Sequence, residues 1–588
     1  MIKKILFTAV AIILLFNGCK KDNSQGPQLG RDNDSFTAYE SSFLDGLWKL
    51  SPDWAISVGY HKYDSILLVP DDKSRDKLVT YAKIQLDSLS RFEITQLSNA
   101  NQIDYHMMEN QMQELEWNIQ QLRGYQWDPS SYNVIGSFAT ILNEHYAPLA
   151  QRLHHFYQRM VNIPAYYKEA EKQLKNPVAE LTTLAIEQHL GGVGVFEKDF
   201  EDSLKKSNIP QAEKQPMLDR AKASAEVIKA YAEWLKNLKN DKPRSFRLGK
   251  ELYDAKFKYE MQSESTPQQV YNAAMERKKY IHRQMAATGK KLWPKYFGTK
   301  AMPADSLDMI AQLIDTISSK HARPSEFQST IESTLPKLTA FVKGKNLVTL
   351  DPSKPLLVRK EPGYMAGVAG ASMSSTGPYD KNGNSYFNVG SLSGWSAERA
   401  ESYLREYNYY ALQILCMHEA IPGHYVQLVY ANKAPSLIKS VFANNAMLEG
   451  WAVYSEELMM DNGYDPDPEM KLMWYKWHLR SVCNTILDYS VHTQNMSRQD
   501  GIKMLVHDVF QQQAEADGKW TRVTESSVQL DSYFTGYKEI IDLREAYKKK
   551  MGDKYTVKDF NEKFLSFGSA PIRYIKDAML AKDAAPGN

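Results

Sequence analysis

The stretch that most constrains this chain is residues 417–424, Met-His-Glu-Ala-Ile-Pro-Gly-His. Proline lacks a backbone donor and clashes with the preceding helical turn, and glycine adopts dihedral angles that other residues avoid. A regular helix therefore cannot run through the Pro-Gly pair. The pattern predicts a helix that carries His418 and Glu419, ends near Ile421, and is followed by a turn that leads to His424.

The spacing of the two histidines differs from the common zinc-binding pattern H-E-x-x-H. Histidines four positions apart on a helix lie about 40° from one another around its axis, so both face one metal. His418 and His424 are six positions apart, which on a regular helix would separate them by roughly 120°. The Pro-Gly break allows the chain to bring His424 back toward His418. A helix end with two surface histidines gives the same pattern, so the motif alone leaves both interpretations open.

Glu449 is the candidate third ligand. Residues 440–459 have the periodicity of a helix, with an apolar face made of Phe442, Ala446, Leu448, Val453 and Leu458. Glu449 lies on that helix before a Gly-Trp-Ala run, and a buried, unpaired carboxylate is costly, so a cation is expected nearby. A metal ion and a buried arginine are the two candidates. Three protein ligands with one free coordination position are typical of a catalytic zinc site.

These residues resemble those of a known family. Glu-Tyr-Asn at 406–408, the motif at 418–424 and Glu-Gly-Trp-Ala at 449–452 are together similar to the bacterial DUF885 family, which is grouped with the gluzincin-type metallopeptidases. Weaker similarities extend over most of the chain, at 50–55, 58–59, 246–249 with Tyr253, 543–545 and 567–571. The chain departs from the family at Tyr425, where members often have a further histidine.

The resemblance implies a mainly α, large helical metallopeptidase-like fold with a deep cleft. One Zn2+ ion would be held by His418, His424 and Glu449, and short peptides would be hydrolysed beside it. Glu419 would act as the general base, accepting a proton from water and passing it to the leaving amine. Two alternatives remain: a metal-dependent hydrolase of another amide or ester, and a non-enzymatic surface lipoprotein that binds peptides or cell-wall fragments on a degenerate site.

Hydrolysis of an amide creates an oxyanion, which needs a hydrogen-bond donor. Tyr537, His492 and Arg480 are the downstream candidates, and a packing role is the alternative for each. Arg480 could instead bind a substrate carboxylate, because its planar guanidinium matches that group.

A small sheet is expected in residues 347–390, directly before the motif. Residues 348–350, 356–358 and 386–389 have strand composition, and glycine, serine and proline fill the segments between them. In gluzincin-like enzymes a strand edge beside the zinc helix binds extended substrate through backbone hydrogen bonds. By that resemblance, the substrate-binding edge is assigned to Tyr386, Phe387, Asn388 and Val389.

The N-terminus predicts an anchor in the cell envelope. Two lysines precede an apolar run at 5–16, which is too short to span a membrane and ends at Asn-Gly-Cys. This resembles a lipoprotein signal at 1–18 with Cys19 as the acylated residue, and 19–34 has the composition of a flexible tether. The protein would then be anchored to a membrane, on its periplasmic side or at the cell surface. An ordinary cleaved signal peptide is the alternative.

The remaining 35–588 is expected to form one helical catalytic unit, which two lobes could build. A net charge of +2 in 588 residues gives no reason to expect nucleic acid as a partner. Apolar periodicity predicts the helices, at 35–50, 72–97, 99–121, 138–174, 179–189, 212–238, 266–291, 305–317, 324–343, 470–490, 497–513 and 531–550.

Overall fold

The computed structural model describes residues 33–361, 371–374, 377–379, 384–434 and 436–581. The predicted signal sequence, Cys19 and nearly all of the predicted tether lie outside the described residues. The described chain is mainly helical, which confirms the predicted fold class. In the described part of the chain, no helix is both long enough and apolar enough to cross a bilayer.

The helices before the sheet follow the predicted periodicity, with ends set by local chemistry. Their bounds are α1 Asn33–Leu50, α2 Pro52–Ser57, α3 Asp72–Leu89, α4 Asn99–Trp117, α5 Ile135–Asn143, α6 Leu149–Arg159, α7 Ile163–Gln173, α8 Ala179–Gly192, α9 Lys198–Lys206, α10 Gln211–Asn237, α11 Lys250–Met261, α12 Pro267–Phe297, α13 Ser306–Ser318 and α14 Phe327–Gly344. The single helix predicted at 138–174 is three helices, because Pro148 and Pro164 stand where α6 and α7 begin.

The helices after the sheet carry the metal motif. They are α15 Ala397–Glu406, α16 Tyr409–Glu419, α17 His424–Ala431, α18 Leu437–Val441, α19 Asn445–Asp461, α20 Pro468–Thr493, α21 Arg498–Lys503, α22 Gln513–Glu525, α23 Ser532–Met551, α24 Val557–Leu565 and α25 Ile572–Leu580. The helix predicted at 497–513 stops at Lys503, where a π-turn over Met504–Asp508 interrupts it.

The buried apolar side chains form two clusters. The smaller cluster is built almost entirely by α5–α10, with Phe138, Phe156 and Tyr231 among its largest members. The larger cluster joins α1, α3 and α4 to the helices that follow α10. The metal motif lies in the larger cluster, where Met417, Ala420 and Trp451 are among the fully buried residues.

A three-stranded sheet lies before α15, as predicted, but its strand order differs from the expectation. The strands are β1 Leu356–Lys360, β2 Ala371–Ser374 and β3 Ser385–Val389, in the order β1-β3-β2. β3 pairs in parallel with β1 and antiparallel with β2. The predicted strand at 348–350 is wrong, and β2 was not predicted.

The strand order corrects the predicted substrate-binding edge. Tyr386, Phe387, Asn388 and Val389 belong to the central strand β3, and their backbone groups pair with strands on both sides. A peptide adds to a sheet only where backbone donors and acceptors are free. The assignment of these four residues as the edge is therefore wrong, and β1 and β2 are the outer strands of the sheet that the described residues form.

Candidate metal centre

A tight turn joins the two histidine-bearing helices. α16 begins at Asn408, whose side chain accepts hydrogen bonds from the amides of Tyr410 and Ala411, and it ends at Glu419. The Gly423 amide donates to the carbonyl of Met417 at 2.9 Å. The helix therefore ends where the sequence predicted, and His424 opens the next helix.

Only glycine fits at position 423. A Cβ atom there would lie 1.9 Å from the carbonyl oxygen of His418. The buried indole of Trp451 fixes the turn from the other side, because its Nε1 donates to the carbonyl of Pro422 at 2.9 Å. Through this contact the helix that carries Glu449 also positions the turn that carries His424.

A close helix crossing positions Glu449. Asn444 caps α19 by accepting from the amide of Met447. One turn later Gly450 packs against Gly536 of α23, where a Cβ on Gly450 would lie 2.3 Å from backbone carbon. Backbones approach this closely only where both residues lack side chains. The Gly-Trp pair after Glu449 therefore has a packing function that fixes the carboxylate.

His418, His424 and Glu449 converge, as the sequence predicted. Each offers one ligand atom, and these atoms all lie within 4.8 Å of one another. The Oε2 atom of Glu449 lies 3.6 Å from Nε2 of His418 and 3.5 Å from Nε2 of His424. The side chains are 9%, 17% and 20% exposed in the order His418, His424, Glu449, so the group is enclosed yet reachable from solvent.

This geometry fits a tetrahedral metal ion. Ligand atoms about 2.0–2.2 Å from zinc at tetrahedral angles lie roughly 3.3–3.6 Å apart, and the two measured distances fall in that range. The Oε2 atom of Glu449 is also buried without a hydrogen-bond partner. In the described chain the ion pairs of Glu449 are with these two histidines and not with an arginine, which disfavours the arginine alternative.

Charged and amide groups orient both imidazoles. The Nδ1 of His418 lies 2.7 Å from the fully buried carboxylate of Glu456, which also accepts from the indole of Trp477 at 3.0 Å. His424 Nδ1 lies 3.4 Å from the amide oxygen of Gln427. Metal-binding histidines commonly donate their second nitrogen in this way, which leaves Nε2 free for the metal.

The electrostatics of the group favour an added cation. Burial opposes the charge of His418, but the adjacent carboxylates of Glu449 and Glu456 outweigh it and raise its pKa to about 10. Burial alone would raise the pKa of Glu449, yet the two histidines hold it well below its usual range. The carboxylates of this group therefore need positive charge beside them, and protonated histidines or a bound cation can supply it.

Glu419 has the surroundings of a general base. Burial raises its pKa, while His424, His418 and the backbone amide of Met373 favour the charged form. The carboxylate therefore lies beside the ligand group without belonging to it. A pKa above that of an ordinary glutamate suits proton transfer near neutral pH.

Tyr533 is a residue of this group that the sequence analysis missed. Its ring lies nearly parallel to the imidazole of His418, with centroids 6.4 Å apart. Burial, followed by the charge of Glu449, raises its pKa to about 12, so the phenol stays protonated. Arg522 donates to its hydroxyl oxygen at 3.2 Å, which leaves the phenolic proton available as a donor.

The structure does not bring Tyr537 to the ligand group. Its hydroxyl donates to the carboxylate of Glu457 and accepts from Arg277. Glu457 follows Glu449 by eight positions on α19, which corresponds to about 12 Å along the helix axis. Tyr533 lies one turn earlier on α23 and faces the ligands instead.

His492 and Arg480 also lie in other surroundings. The Nε2 of His492 lies 2.9 Å from the carbonyl oxygens of both Val523 and Ser526. The terminal nitrogens of Arg480 are paired with Glu406 at 3.3 Å and Glu515 at 2.7 Å. The donors that the oxyanion and substrate-carboxylate hypotheses required of these two residues are thus already engaged.

The sequence contains a signal for one residue that the sequence analysis missed. Glu456 follows Glu449 by seven positions, two full turns of the predicted helix, and so had to share its face. No local pattern singles out Tyr533 among 35 tyrosines. The predicted deep cleft stays a prediction, because two surface cavities of the described chain, of about 620 and 410 Å³, are lined by residues other than the candidate ligands.

The sequence profile of a family described as bacterial protein of unknown function (DUF885) matches residues 52–579. No match to a functionally curated protein was found. A solved structure of a predicted lipoprotein of unknown function from Shewanella oneidensis is 47% identical, with a TM-score of 0.85, covering 93% of this chain and 100% of that one.

A second solved structure shares the fold at much lower sequence identity. The structure of a predicted lipoprotein from Colwellia psychrerythraea is 15% identical with a TM-score of 0.75, and the match covers 94% of this chain and 99% of that one. At this identity the likeness concerns the fold alone. The same helical architecture therefore occurs in proteins whose sequences have diverged widely.

Proposed function

This chain belongs to the DUF885 family, and we propose that it is a zinc-dependent hydrolase that cleaves short peptides. The observation that carries the proposal is the convergence of His418, His424 and Glu449, whose ligand atoms lie within 4.8 Å of one another. The Oε2 atom of Glu449 is buried there and lacks a hydrogen-bond partner. Buried polar atoms without partners are rare and call for an explanation. A metal ion held by these three side chains supplies one.

Zinc in this position would polarise a carbonyl group and lower the pKa of a water molecule. Glu419, buried beside the ligands, accepts the proton of the attacking water and delivers it to the leaving amine. Tyr533 donates its phenolic proton to the oxygen that becomes negatively charged, and Arg522 keeps that hydroxyl in place. Glu456 holds the His418 ring in one orientation.

The position of β2 favours a peptide as the substrate. The backbone amide of Met373 in this edge strand reaches the carboxylate of Glu419, so the strand borders the ligand group. Among the described residues, β2 pairs only with β3. An extended peptide can add to such an edge through its backbone, which brings a peptide bond to the metal without regard to side-chain identity.

The experiment compares wild-type protein with Glu419→Gln. Gln keeps the shape of the side chain and cannot accept the proton, so turnover of short peptides should fall about 10²- to 10⁴-fold. Zinc content, measured by mass spectrometry after gel filtration, should remain one ion per chain because residue 419 is not a ligand. Retained turnover would remove Glu419 from its assigned role. Wild-type protein that binds no zinc would refute the proposal as a whole.

We also propose that Cys19 carries a lipid that anchors the protein in the cell envelope. The leader before Cys19 supports this proposal, and so does the 47% identical relative, which is itself described as a predicted lipoprotein. Radiolabelled palmitate should be incorporated into wild-type protein and not into Cys19→Ser. A Cys19→Ser protein that still incorporates label would contradict the assignment.

A further inference from the structure

A group of basic side chains lies beside the metal centre, on α20 and α22. Glu515, Lys519 and Arg522 occupy positions i, i+4 and i+7 of α22, so they share one helix face. Arg480 of α20 packs against that face, where it pairs with Glu515 at 2.7 Å. The face therefore runs from an ion pair at one end to Arg522, the partner of Tyr533, at the other.

Two of these cations lack a counter-charge. Among the described residues, no carboxylate lies within 4.0 Å of the Lys519 ammonium or of the Arg522 guanidinium, whereas both terminal nitrogens of Arg480 are paired. The two acidic groups nearby, Glu406 and Glu515, are both engaged by Arg480. The cluster consequently has more positive than negative charge.

Lys519 is the informative member because it is buried. Only 8% of the residue is exposed, and burial together with the charge of Arg480 lowers its pKa to about 7. Burying an ammonium group without a partner is costly. A bound ligand of opposite charge would offset that cost.

The position of Lys519 and Arg522 relative to the metal centre restricts which ligand they could bind. Arg522 bonds the hydroxyl of Tyr533, which lies against His418, and Lys519 is one turn away, about 4.5 Å along the helix axis. Each residue of an extended peptide spans about 3.3–3.6 Å. A negative group at these cations would therefore lie a few residues along an extended peptide from a bond placed at the metal centre.

We propose that Lys519 and Arg522 bind the C-terminal carboxylate of the substrate, so that the enzyme cleaves short peptides near their C-terminal end. This inference rests on the proposed hydrolase function. An acidic side chain within the peptide has the same chemistry as a terminal carboxylate, and the experiment separates the two. Arg522 is exposed to solvent and would contact the carboxylate first. The buried Lys519 would contact it second.

The test measures kcat/KM of zinc-loaded protein for trialanine as the free acid and as the C-terminal amide, and for Ala-Glu-Ala amide. Wild-type protein should prefer the free acid about 10- to 100-fold, the size of a charge-assisted hydrogen bond. Lys519→Met, which keeps the volume and removes the charge, should lose most of this preference through a higher KM for the free acid. Lys278→Met is the matched control, because this largely buried lysine pairs with Asp508 elsewhere; its preference should be unchanged.

A binding measurement separates the inference from the function on which it rests. Calorimetric titration of Glu419→Gln with the free acid and the amide requires no turnover and no change at Lys519. Tighter binding of the acid supports the carboxylate site, even if wild-type protein hydrolyses neither peptide and the hydrolase proposal fails. Equal binding of acid and amide overturns the inference, and a preference for Ala-Glu-Ala amide over both would assign the cations to a side chain instead.

Discussion

Two groups of acids and histidine in the described part of the chain differ in whether their ligand atoms converge on one point. In the metal centre, the nitrogens of His418 and His424 point at a carboxylate oxygen of Glu449 that has no hydrogen-bond partner. The other group, defined by Tyr253, Asp488, His492 and Asp531, is more deeply buried. Most of its polar atoms bind one another or the backbone, and Oδ1 of Asp531 and Nδ1 of His492 lack a hydrogen-bond partner.

The contacts of the second group show the contrast. The hydroxyl of Tyr253 lies 2.9 Å from Asp488 and 2.6 Å from Asp531. Asp488 also accepts from the amides of Val528 and Leu530, at 3.0 and 3.1 Å. These bonds connect α11, α20 and the start of α23, so the group has a structural function. Neither the burial of acids beside histidine nor a single unsatisfied atom is therefore the signature of a metal site, whereas ligand atoms of three side chains that converge on one point are.

Glu449→Gln should give the largest effect. An amide oxygen is a poorer zinc ligand than a carboxylate, and the change removes the charge that balances the metal, so bound zinc and peptide turnover should both be lost, with turnover down about 10³-fold or more. Zinc content and kcat/KM are the measurements. Glu457→Gln, the same change two turns along α19, is the control and should keep its zinc. A Glu449→Gln protein with full zinc would break the contrast between the two groups.

Tyr533→Phe should reduce kcat by about 10²- to 10³-fold without releasing zinc, which is the usual cost of one oxyanion donor. The control is Tyr537→Phe on the same helix, whose hydroxyl binds Glu457 and Arg277 instead. That variant should keep kcat and lose thermal stability. If Tyr537→Phe has the lower kcat, the original sequence-based assignment was right and Tyr533 is a packing residue.

The assignments of Tyr533 and Tyr537 show which parts of the site could be predicted from the sequence. The helix end before the Pro-Gly pair and the helix that carries Glu449 were predictable, because each follows from local chemistry within one or two turns. Periodicity also predicted the helix at 531–550, but the turn of it that meets the candidate ligands depends on the Gly450–Gly536 crossing between distant segments. The strand order failed for the same reason, since which strand is central is decided by long-range pairing.

Glu456→Gln should weaken zinc binding by about 10- to 100-fold, the usual effect of losing a carboxylate that orients a metal-binding histidine. The reason is the 2.7 Å contact between Glu456 and Nδ1 of His418, which a neutral amide can form only more weakly. Competition with a chelator of known affinity measures the change. Unchanged affinity would mean that packing alone holds the ring.

Tyr253→Phe should act on stability alone. The change removes the hydroxyl that bonds two buried aspartates, which costs about 1–3 kcal/mol for buried groups left without a partner. Thermal unfolding should show a lower Tm, and zinc content should equal that of wild-type protein. Loss of zinc in this variant would show that the two groups are coupled.

Asp531→Asn should have the smallest effect, and its sign depends on pH. Burial and the charge of Asp488 raise the pKa of Asp531 well above its ordinary value of 3.8. For an acid with a raised folded-state pKa, stability is greatest at low pH and falls as the pH rises above the unfolded-state value. Asparagine resembles the protonated acid, so the variant should gain Tm relative to wild type between pH 5 and pH 8. A constant difference over that range would show that Asp531 is ionised in the fold.

The central claim is that His418, His424 and Glu449 bind one metal ion, and anomalous diffraction from crystals of zinc-loaded protein tests it most directly. Data collected on both sides of the zinc absorption edge should show one strong peak about 2.0–2.2 Å from each of the three ligand atoms. A peak elsewhere, or none between these side chains in protein that has been supplied with zinc, would contradict the account.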